Sequence, residues 1–555
     1  AANLELFIDS PTTVQSGSLA TVKLLARNLG PDTARTVSID FNIPAADNAP
    51  EFISTVPASA NCTTTTTASL TRVTCLLGDM DLSNVPRETQ FQIRMKGNGT
   101  ATVGGEIYAT GSVDRQTQNN AGSRQIVVTN PGMELKGIEV TQAVQNLKNS
   151  IPLVNGRQTV VRAHVKNLTA STMTARATLV VREVATRRLV GVYSNSNMGG
   201  QITVLADPRR SALDDSFLFD LGASADFGVG PLEFTFVGNE IGAACNEPDT
   251  SPDCKVIVEF QDRRGFTLKI LPTFVTLNDG SLRGPTSDDM LQALTEIASN
   301  FPIQGFGGDG VTVSWGAWAI NGNYCTVAGM RAVLSNLKSK RADECATGEC
   351  EDFYVSLLPE SADSGLCNGF DASGMADVDF GSPTAPGYPI MPPIGIKNDN
   401  TGNVNVSIAA FANTRAHELG HNFGFRHTCN KLDAEGAYIE GGCGPVGDAT
   451  VTLPDGTISF KKDDYDPDTY YGYDVFRDRL EGVGDYSGYL GHERLYGPNT
   501  PDFMSYGDAA WISAYSYKKI FDSLPLSPSA EPETVERLRI TDARVFHVSG
   551  SVNAD

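Results

Sequence analysis

The sequence lacks the features that would tie a protein to nucleic acid or to a bilayer. No apolar run reaches the roughly 20 residues that cross a membrane as a helix, so no transmembrane segment is predicted. Basic residues are scarce, since 43 Lys and Arg stand against 65 Asp and Glu, which gives a formal net charge of −22. A surface of that sign repels phosphate backbones and anionic lipids, so nucleic acid is not an expected partner.

A CxxC pair is also absent, although the chain has ten cysteines. The pairing among Cys325, Cys345, Cys350 and Cys367 stays open. An Ala-Ala start is typical of a chain matured by signal-peptide cleavage, although an expression vector can leave the same start. The cysteines favour disulfides, and hence a secreted, extracellular or cell-surface protein, over a zinc knuckle. Closely spaced pairs close small loops at four places: Cys62/Cys75, Cys245/Cys254, Cys345/Cys350 and Cys429/Cys443.

Histidine is rare, yet three of the six histidines fall in the segment 417–427, which has the pattern HExxHxxGxxH. On a helix, His417 and His421 project from one face and can reach one metal ion, and Glu418 can aim its carboxylate at a metal-bound water. Gly424 can adopt a left-handed turn that returns His427 as a third ligand. Three imidazoles leave a fourth position open for water, so the pattern predicts a catalytic Zn²⁺ site.

A second segment, 501–507, contains Met504 and Tyr506 in a Met-x-Tyr-Gly pattern. Together with the histidine motif, this segment resembles the metzincin clan of zinc metalloendopeptidases. The resemblance implies that Met504, in the Met-turn, forms an apolar floor under the zinc. It implies that Tyr506 is an extra zinc ligand or a donor to the transition state. The segment lies farther from the histidines than in compact clan members, so a sizeable insertion is expected between them.

The hydrophobic patterns predict a multidomain chain in which two all-β sandwiches precede an α+β metzincin-like catalytic domain. The first segment resembles the immunoglobulin-like repeats of bacterial cell-surface proteins. Alternating β patterns then give way to a β-α-β-α-β order ahead of the histidine helix, which is placed at about 406–420. The predicted boundaries are 1–130 and 131–264 for the sandwiches, 265–525 for the catalytic domain and 526–555 for a C-terminal tail with β-strands.

Roles are predicted for three further segments. The metzincin resemblance implies that the stretch 374–378 is an edge strand that pairs with extended substrate, and the alternative is an ordinary edge strand. Six aspartates in the insertion 430–500 offer oxygen ligands for Ca²⁺, although a solvated acidic loop is the favoured interpretation: Asp463, Asp464, Asp466, Asp468, Asp474 and Asp478. The strand-like tail suggests either a longer precursor or docking on an existing sheet.

The function expected from these features is that of a secreted zinc-dependent endopeptidase acting on protein or glycoprotein substrates. Zinc-bound water attacks the scissile carbonyl, Glu418 takes and returns the proton as general base, and Tyr506 supports the oxyanion. One alternative is a cell-surface binding or adhesion protein with a metzincin fold that does not cleave. The intact Glu418 argues against this alternative. Another is a protease specific for glycoproteins or mucins.

Overall fold

The structure, a computed structural model, describes most of the chain. Two compact units form, the first from Ala1–Ile138, Val161–Asp220 and Pro231–Val258, and the second from Glu139–Val160, Leu221–Gly230 and Glu259–Asp555. The predicted multidomain, mostly β architecture is confirmed, whereas the predicted domain boundaries stay predictions. The described residues are 1–46, 49–56, 61–223, 227–228, 230–245, 252–276, 280–305, 310–316, 318–320, 324, 326–348, 350–359, 374–377, 403–408, 414–425, 450–452, 458–460, 465–476, 495–498, 500, 502–504 and 510–525.

The first unit begins with a β-sandwich of two sheets, which confirms the predicted sandwich character. One sheet has the order β1-β3-β8-β5 and the other the order β2-β10-β9-β4-β7-β6. Every second residue of β3 is buried, as expected for a strand with one face on a core. Phe41 and Phe91 stack in that core with ring centroids 4.6 Å apart. The strands are β1 (Leu4–Asp9), β2 (Thr13–Gln15), β3 (Leu19–Asn28), β4 (Ala34–Pro44), β5 (Glu51–Val56), β6 (Cys62–Thr66), β7 (Leu70–Met80), β8 (Arg87–Arg94), β9 (Gly99–Ala109) and β10 (Ala121–Thr129).

A second group of strands follows along the chain. Within the first unit, β16 pairs antiparallel with β17 on one side and with β20 on the other. Leu179 and Val181, both fully buried, lie on β16. The strands are β11 (Met133–Thr141), β12 (Val144–Gln145), β13 (Leu153–Val154), β14 (Gln158–Asn167), β15 (Met173–Ala175), β16 (Ala177–Glu183), β17 (Leu189–Ser194), β18 (Ile202–Val204), β19 (Ser216–Ala223), β20 (Gly230–Gly238), β21 (Ala243–Ala244) and β22 (Lys255–Gln261).

The second unit is built on a seven-stranded sheet whose main path is β24-β23-β27-β29-β28, with β25 and β26 also paired to β23. Strands β23, β27 and β29 run parallel, and every residue of β27 is buried, as a parallel strand between helical layers requires. The short strand β28 closes the path and runs antiparallel to β29. The strands are β23 (Thr267–Thr276), β24 (Leu282–Arg283), β25 (Thr312–Trp315), β26 (Trp318–Ile320), β27 (Phe353–Leu358), β28 (Gly374–Ala376), β29 (Val404–Ile408), β30 (Thr450–Thr452), β31 (Ile458–Phe460), β32 (Tyr471–Tyr473) and β33 (Leu495–Tyr496).

Four α-helices are present in the described part of the chain: α1 (Ser287–Asn300), α2 (Val327–Thr347), α3 (Thr414–Phe423) and α4 (Ala514–Ser523). Thr286 and Asp289 form a capping box at the start of α1. The histidine helix begins at Thr414 rather than at about 406, because 404–408 forms strand β29. The alternating Val404 and Val406 favour that strand.

Three of the four predicted cysteine pairs are disulfides: Cys62–Cys75, Cys245–Cys254 and Cys345–Cys350. Cys62 and Cys75 lie directly opposite each other on β6 and β7. The pair Cys429/Cys443 lies outside the described residues. No described helix combines the length and the apolar character needed to cross a membrane. The disulfides are consistent with an extracellular protein.

Candidate functional site

The helix α3 carries the first half of the predicted motif, and its apolar face is anchored in the core of the second unit. Ala416, Leu419 and Phe423 are fully buried in that core. The Phe423 ring packs against the ring of Phe353 on β27 at 5.0 Å between centroids. Because these three residues recur at helical spacing, they fix which face of α3 turns away from the core.

His417 and His421 lie one helical turn apart, with their ring centroids separated by 4.7 Å and their planes nearly perpendicular. The Nδ1 atom of His417 is 2.9 Å from the carbonyl oxygen of Phe503, and Nδ1 of His421 is 2.8 Å from that of Phe425. A carbonyl oxygen only accepts, so Nδ1 carries the proton in both rings and Nε2 is the acceptor nitrogen of the neutral imidazole. The backbone therefore sets one tautomer for both histidines.

The helix ends as the sequence predicts. Gly424 adopts a left-handed conformation with φ of 100°, and its N–H donates to the carbonyl of His421 at 2.9 Å. The N–H of Phe425 donates to the carbonyl of Gly420 at 3.1 Å. This pattern closes the last turn of α3, and glycine is the residue that adopts it most readily.

Glu418 points its side chain at the end strand of the sheet. It is only 6 % exposed. A Cβ atom added to Gly374 on β28 would lie 2.5 Å from Glu418 Oε1 and 2.6 Å from its Cγ, so the carboxyl group lies directly against the backbone of that strand. Burial raises the pKa of Glu418 to about 8. A carboxyl group in this environment exchanges its proton near neutral pH.

Met504 lies against the same helix at Gly420, which stands between the two histidines in sequence. It is fully buried, and a Cβ on Gly420 would overlap its sulfur atom. The backbone N–H of Met504 donates to Asp502 Oδ1 at 2.9 Å, and Asp502 Oδ2 accepts from the N–H of Ser513 at 2.9 Å and from Ser516 Oγ at 2.8 Å. Asp502 thus ties the segment of Met504 to the start of α4. Tyr506 lies outside the described residues.

Several residues that position α3 were not identified from the sequence. Asn422 Nδ2 donates to the carbonyl of Val404 at 3.0 Å, and its Oδ1 accepts from Asn405 Nδ2 at 2.7 Å, which ties α3 to β29. Glu296 and Asp502 hold the two ends of the site through buried hydrogen bonds. For Glu296 a signal was available, since a carboxylate lies on the apolar face of α1 next to Ile297.

The predicted zinc centre is not formed by the part of the chain that the structure describes. Within those residues, no group of three or more His, Cys, Asp or Glu side chains comes together so that it could hold a metal ion. His417 and His421 supply two imidazoles, whereas a catalytic zinc site uses three protein ligands. His427 lies outside the described residues. On this finding, the predictions of Zn²⁺ and of a metzincin-clan zinc metalloendopeptidase are wrong. The described residues do not show the predicted α+β metzincin-like domain.

The prediction of Ca²⁺ in the acidic insertion is also wrong for the described residues. Asp468 is bound to Lys148 Nζ at 2.8 and 2.9 Å, and Asp474 accepts from Ser299 Oγ at 3.1 Å. These carboxylates bind different partners instead of converging on one point. Three further members of the predicted cluster lie outside the described residues: Asp463, Asp464 and Asp478.

Comparisons with known proteins do not assign the chain to a family. No protein-family profile matches it, and no curated protein matches it. Among solved structures, it is similar to the CARDB domain of the PF1109 protein from Pyrococcus furiosus, with 15% identity over 23% of this chain and 94% of that chain at a TM-score of 0.17. A cohesin module from a Clostridium perfringens family 33 glycoside hydrolase has 13% identity over 23% of this chain and 99% of that chain, at 0.19. Red sea bream transglutaminase has 11% identity over 47% of this chain and 32% of that chain, at 0.16. TM-scores this low carry no conclusion about fold or function.

Proposed function

We propose that the chain is a secreted endopeptidase that hydrolyses peptide bonds in extended polypeptide segments. The observation that carries the proposal is the position of Glu418, whose buried carboxyl group lies directly against the backbone of strand β28 at Gly374. A group that can transfer protons therefore lies beside an edge strand of the sheet, to which a polypeptide can bind. The disulfides Cys62–Cys75, Cys245–Cys254 and Cys345–Cys350 support the extracellular location.

Strand β28 offers the substrate a place to bind. It ends the path of the sheet, and among the described strands it pairs only with β29. An extended peptide can add to such an edge through backbone hydrogen bonds, which hold the substrate without requiring a particular side chain. Gly374, Met375 and Ala376 are all half-buried, so the edge is within reach of solvent. A peptide on this edge passes close to Glu418.

The side chains of α3 supply proton transfer. A water molecule beside Glu418 gives up a proton to the carboxylate as its oxygen attacks the scissile carbonyl carbon. The protonated carboxyl group then delivers that proton to the leaving amine nitrogen as the carbon–nitrogen bond breaks. The Nε2 atoms of His417 and His421, with their tautomer fixed by the backbone, are hydrogen-bond acceptors that can orient the water.

The test is a cleavage assay on an unstructured protein such as casein, in which new N-termini are mapped by mass spectrometry. Wild-type protein should generate new N-termini, and Glu418→Gln should reduce their rate of formation by about a hundredfold or more because the amide cannot accept the proton. The matched control is Glu240→Gln, since Glu240 is exposed and belongs to the first unit. Equal cleavage by the wild type and Glu418→Gln contradicts the role of Glu418. Binding of casein without cleavage favours instead a non-cleaving adhesion protein.

A further inference from the structure

A cleft in the first unit differs in charge from the rest of the protein. It has a volume of about 840 Å³ and lies between the region around β5, β6 and β7 on one side and the turn joining β16 to β17 on the other. Four of its lining side chains are basic, namely Lys96, Arg182, Arg187 and Arg188, whereas Glu51 is the one acidic residue in the described lining. The chain as a whole carries a net charge of −22. A basic cleft in so acidic a protein attracts anions selectively.

The single carboxylate of the cleft is already neutralised. Glu51 lies 3.0 Å from Lys255 Nζ, 3.5 Å from Arg94 and 3.7 Å from Lys96 Nζ. Burial alone would raise the pKa of Glu51, but the charges of Arg94, Lys255 and Lys96 outweigh burial and lower the pKa to about 2. Glu51 therefore stays ionised at neutral pH. Glu233 is a second carboxylate of this cluster, 3.3 Å from Lys255 and 2.9 Å from Arg187, and the cations around the two carboxylates still outnumber them.

Two arginine side chains, those of Arg182 and Arg187, line the cleft. Arg182 is 8 % exposed, and its Nη2 donates to the carbonyls of Phe52 and Ile53 at 3.0 and 2.6 Å. Its Nη1 has no hydrogen-bond partner among the described residues, so the buried charge is only partly compensated. Arg187, half of whose side chain is exposed, has a φ of 60°, a backbone conformation that costs a non-glycine residue energy. The carbonyls of Phe52 and Ile53 thus hold the guanidinium group of Arg182, and Glu233 Oε2, 2.9 Å from Nη1, holds that of Arg187.

The remaining walls are rich in hydroxyl groups. A hydroxyl group can both donate and accept hydrogen bonds. The lining residues that carry one are Ser54, Thr55, Thr64, Thr66, Thr67, Thr71 and Thr186. Small-molecule sites typically have volumes of about 300–1,000 Å³, so the cleft suits a ligand of that class better than a long polymer. Guanidinium groups recognise carboxylates with two parallel hydrogen bonds, and hydroxyl-lined walls match sugar hydroxyls.

We propose that this cleft binds an acidic saccharide whose carboxylate lies between Lys96 and Arg187, with its hydroxyl groups facing the threonines of β6 and β7. The site belongs to the first unit and does not depend on the proposed peptidase activity. Lys96 and Arg187 are partly exposed, and each lies within 4 Å of Glu51. Arg187 Nη1 also donates to Glu233 Oε2 at 2.9 Å, so a ligand carboxylate shares these two cations with Glu51 and Glu233.

The test is isothermal titration of the full chain at low salt with D-glucuronate, with D-glucose as the neutral match and with inorganic sulfate as the free oxyanion. Glucuronate should bind at least about tenfold more tightly than glucose, since only glucuronate carries the charge. Lys96→Gln and Arg187→Gln should each weaken glucuronate binding by about five- to twentyfold. Arg35→Gln, which removes an exposed arginine on β4 that does not line the cleft, should change the affinity less than about twofold.

Circular dichroism of each variant verifies that the strands remain folded. Three results would overturn the proposal: no heat change with glucuronate on the folded wild type, equal affinity for glucose and glucuronate, or unchanged glucuronate affinity in both Lys96→Gln and Arg187→Gln. Sulfate that binds as tightly as glucuronate overturns the saccharide assignment, because the sugar hydroxyls would then add nothing.

Discussion

The carboxylate of Glu296 on α1 holds the start of α3 through Arg415. Glu296 Oε2 accepts from Arg415 Nε at 2.7 Å, and Oε1 accepts from the N–H of Ala416 at 2.8 Å. Both charged side chains are almost completely buried. A negative charge at a helix N-terminus also interacts favourably with the helix dipole. The position of His417 and Glu418 therefore depends on a residue 120 positions before Ala416 in the chain.

We expect Glu296→Gln to destabilise the second unit by about 3–5 kcal/mol, because it removes the carboxylate charge that pairs with buried Arg415. Amide hydrogen exchange should accelerate most in α3. The double variant Glu296→Gln/Arg415→Met removes both charges and should recover a large part of the lost stability. Unchanged exchange in α3 of Glu296→Gln would show that the ion pair does not hold this helix.

Gly374→Ala should reduce the proposed peptidase activity by about tenfold or more, because a Cβ there meets Glu418 and lies 2.7 Å from Thr414 Cγ2. The carboxyl group has to move away from the edge of the sheet. The control is Gly497→Ala, since a Cβ on Gly497 has no heavy atom within 4 Å. Initial rates on a casein substrate decide the outcome, and equal rates for Gly374→Ala and Gly497→Ala would contradict the proposed geometry.

Gly420→Ala should lower the thermal stability, although alanine favours a helix by about 1 kcal/mol relative to glycine. The added Cβ overlaps the sulfur of Met504 and lies 2.8 Å from Phe503 Cε2, in a region where both neighbours are buried. Overpacking of this kind costs about 1–3 kcal/mol. Differential scanning calorimetry measures the change. Met504→Ala opens the space again, so Gly420→Ala should lower the melting temperature less in a Met504→Ala background than in the wild type. An equal decrease in both backgrounds would show that the contact with Met504 is not limiting.

The stability of the first unit should depend on pH through Glu51. Its pKa is about 2 in the folded protein against an ordinary value of 4.5. Because the pKa of Glu51 is lower in the folded state, ionised Glu51 stabilises the fold fully at pH values above its ordinary pKa. This stabilisation is lost as the pH falls from about 4.5 through 2. The shift corresponds to a contribution on the order of 3 kcal/mol at neutral pH. Urea unfolding at pH 6 and pH 2.5 should show a large difference between the wild type and Glu51→Gln at pH 6 that shrinks at pH 2.5. If the stability difference between the wild type and Glu51→Gln stays constant with pH, the difference arises from packing and not from the charge of Glu51.

Elements with regular patterns could be predicted from the sequence. The strand Phe353–Leu358 is of this kind, because an apolar run of that length, broken only by Ser356, suits a parallel strand buried on both faces. Cys62/Cys75, Cys245/Cys254 and Cys345/Cys350 pair as their short spacing suggests. The helix placed at about 406–420 was wrong at its start, since the residues of β29 satisfy their backbone hydrogen bonds with β27 and β28 instead.

The sequence alone determined the local geometry of the site. Spacing of four residues puts His417 and His421 on one face of a helix, and glycine at 424 permits the left-handed turn that ends it. Only the tertiary structure decided what surrounds these side chains. Glu296 and Gly374 reach α3 across gaps in sequence that no periodicity spans, because such contacts form only when the sheet and its helices pack. Local backbone preferences act over a few residues, whereas burial, charge pairing and close backbone approach depend on which distant segments the fold brings together.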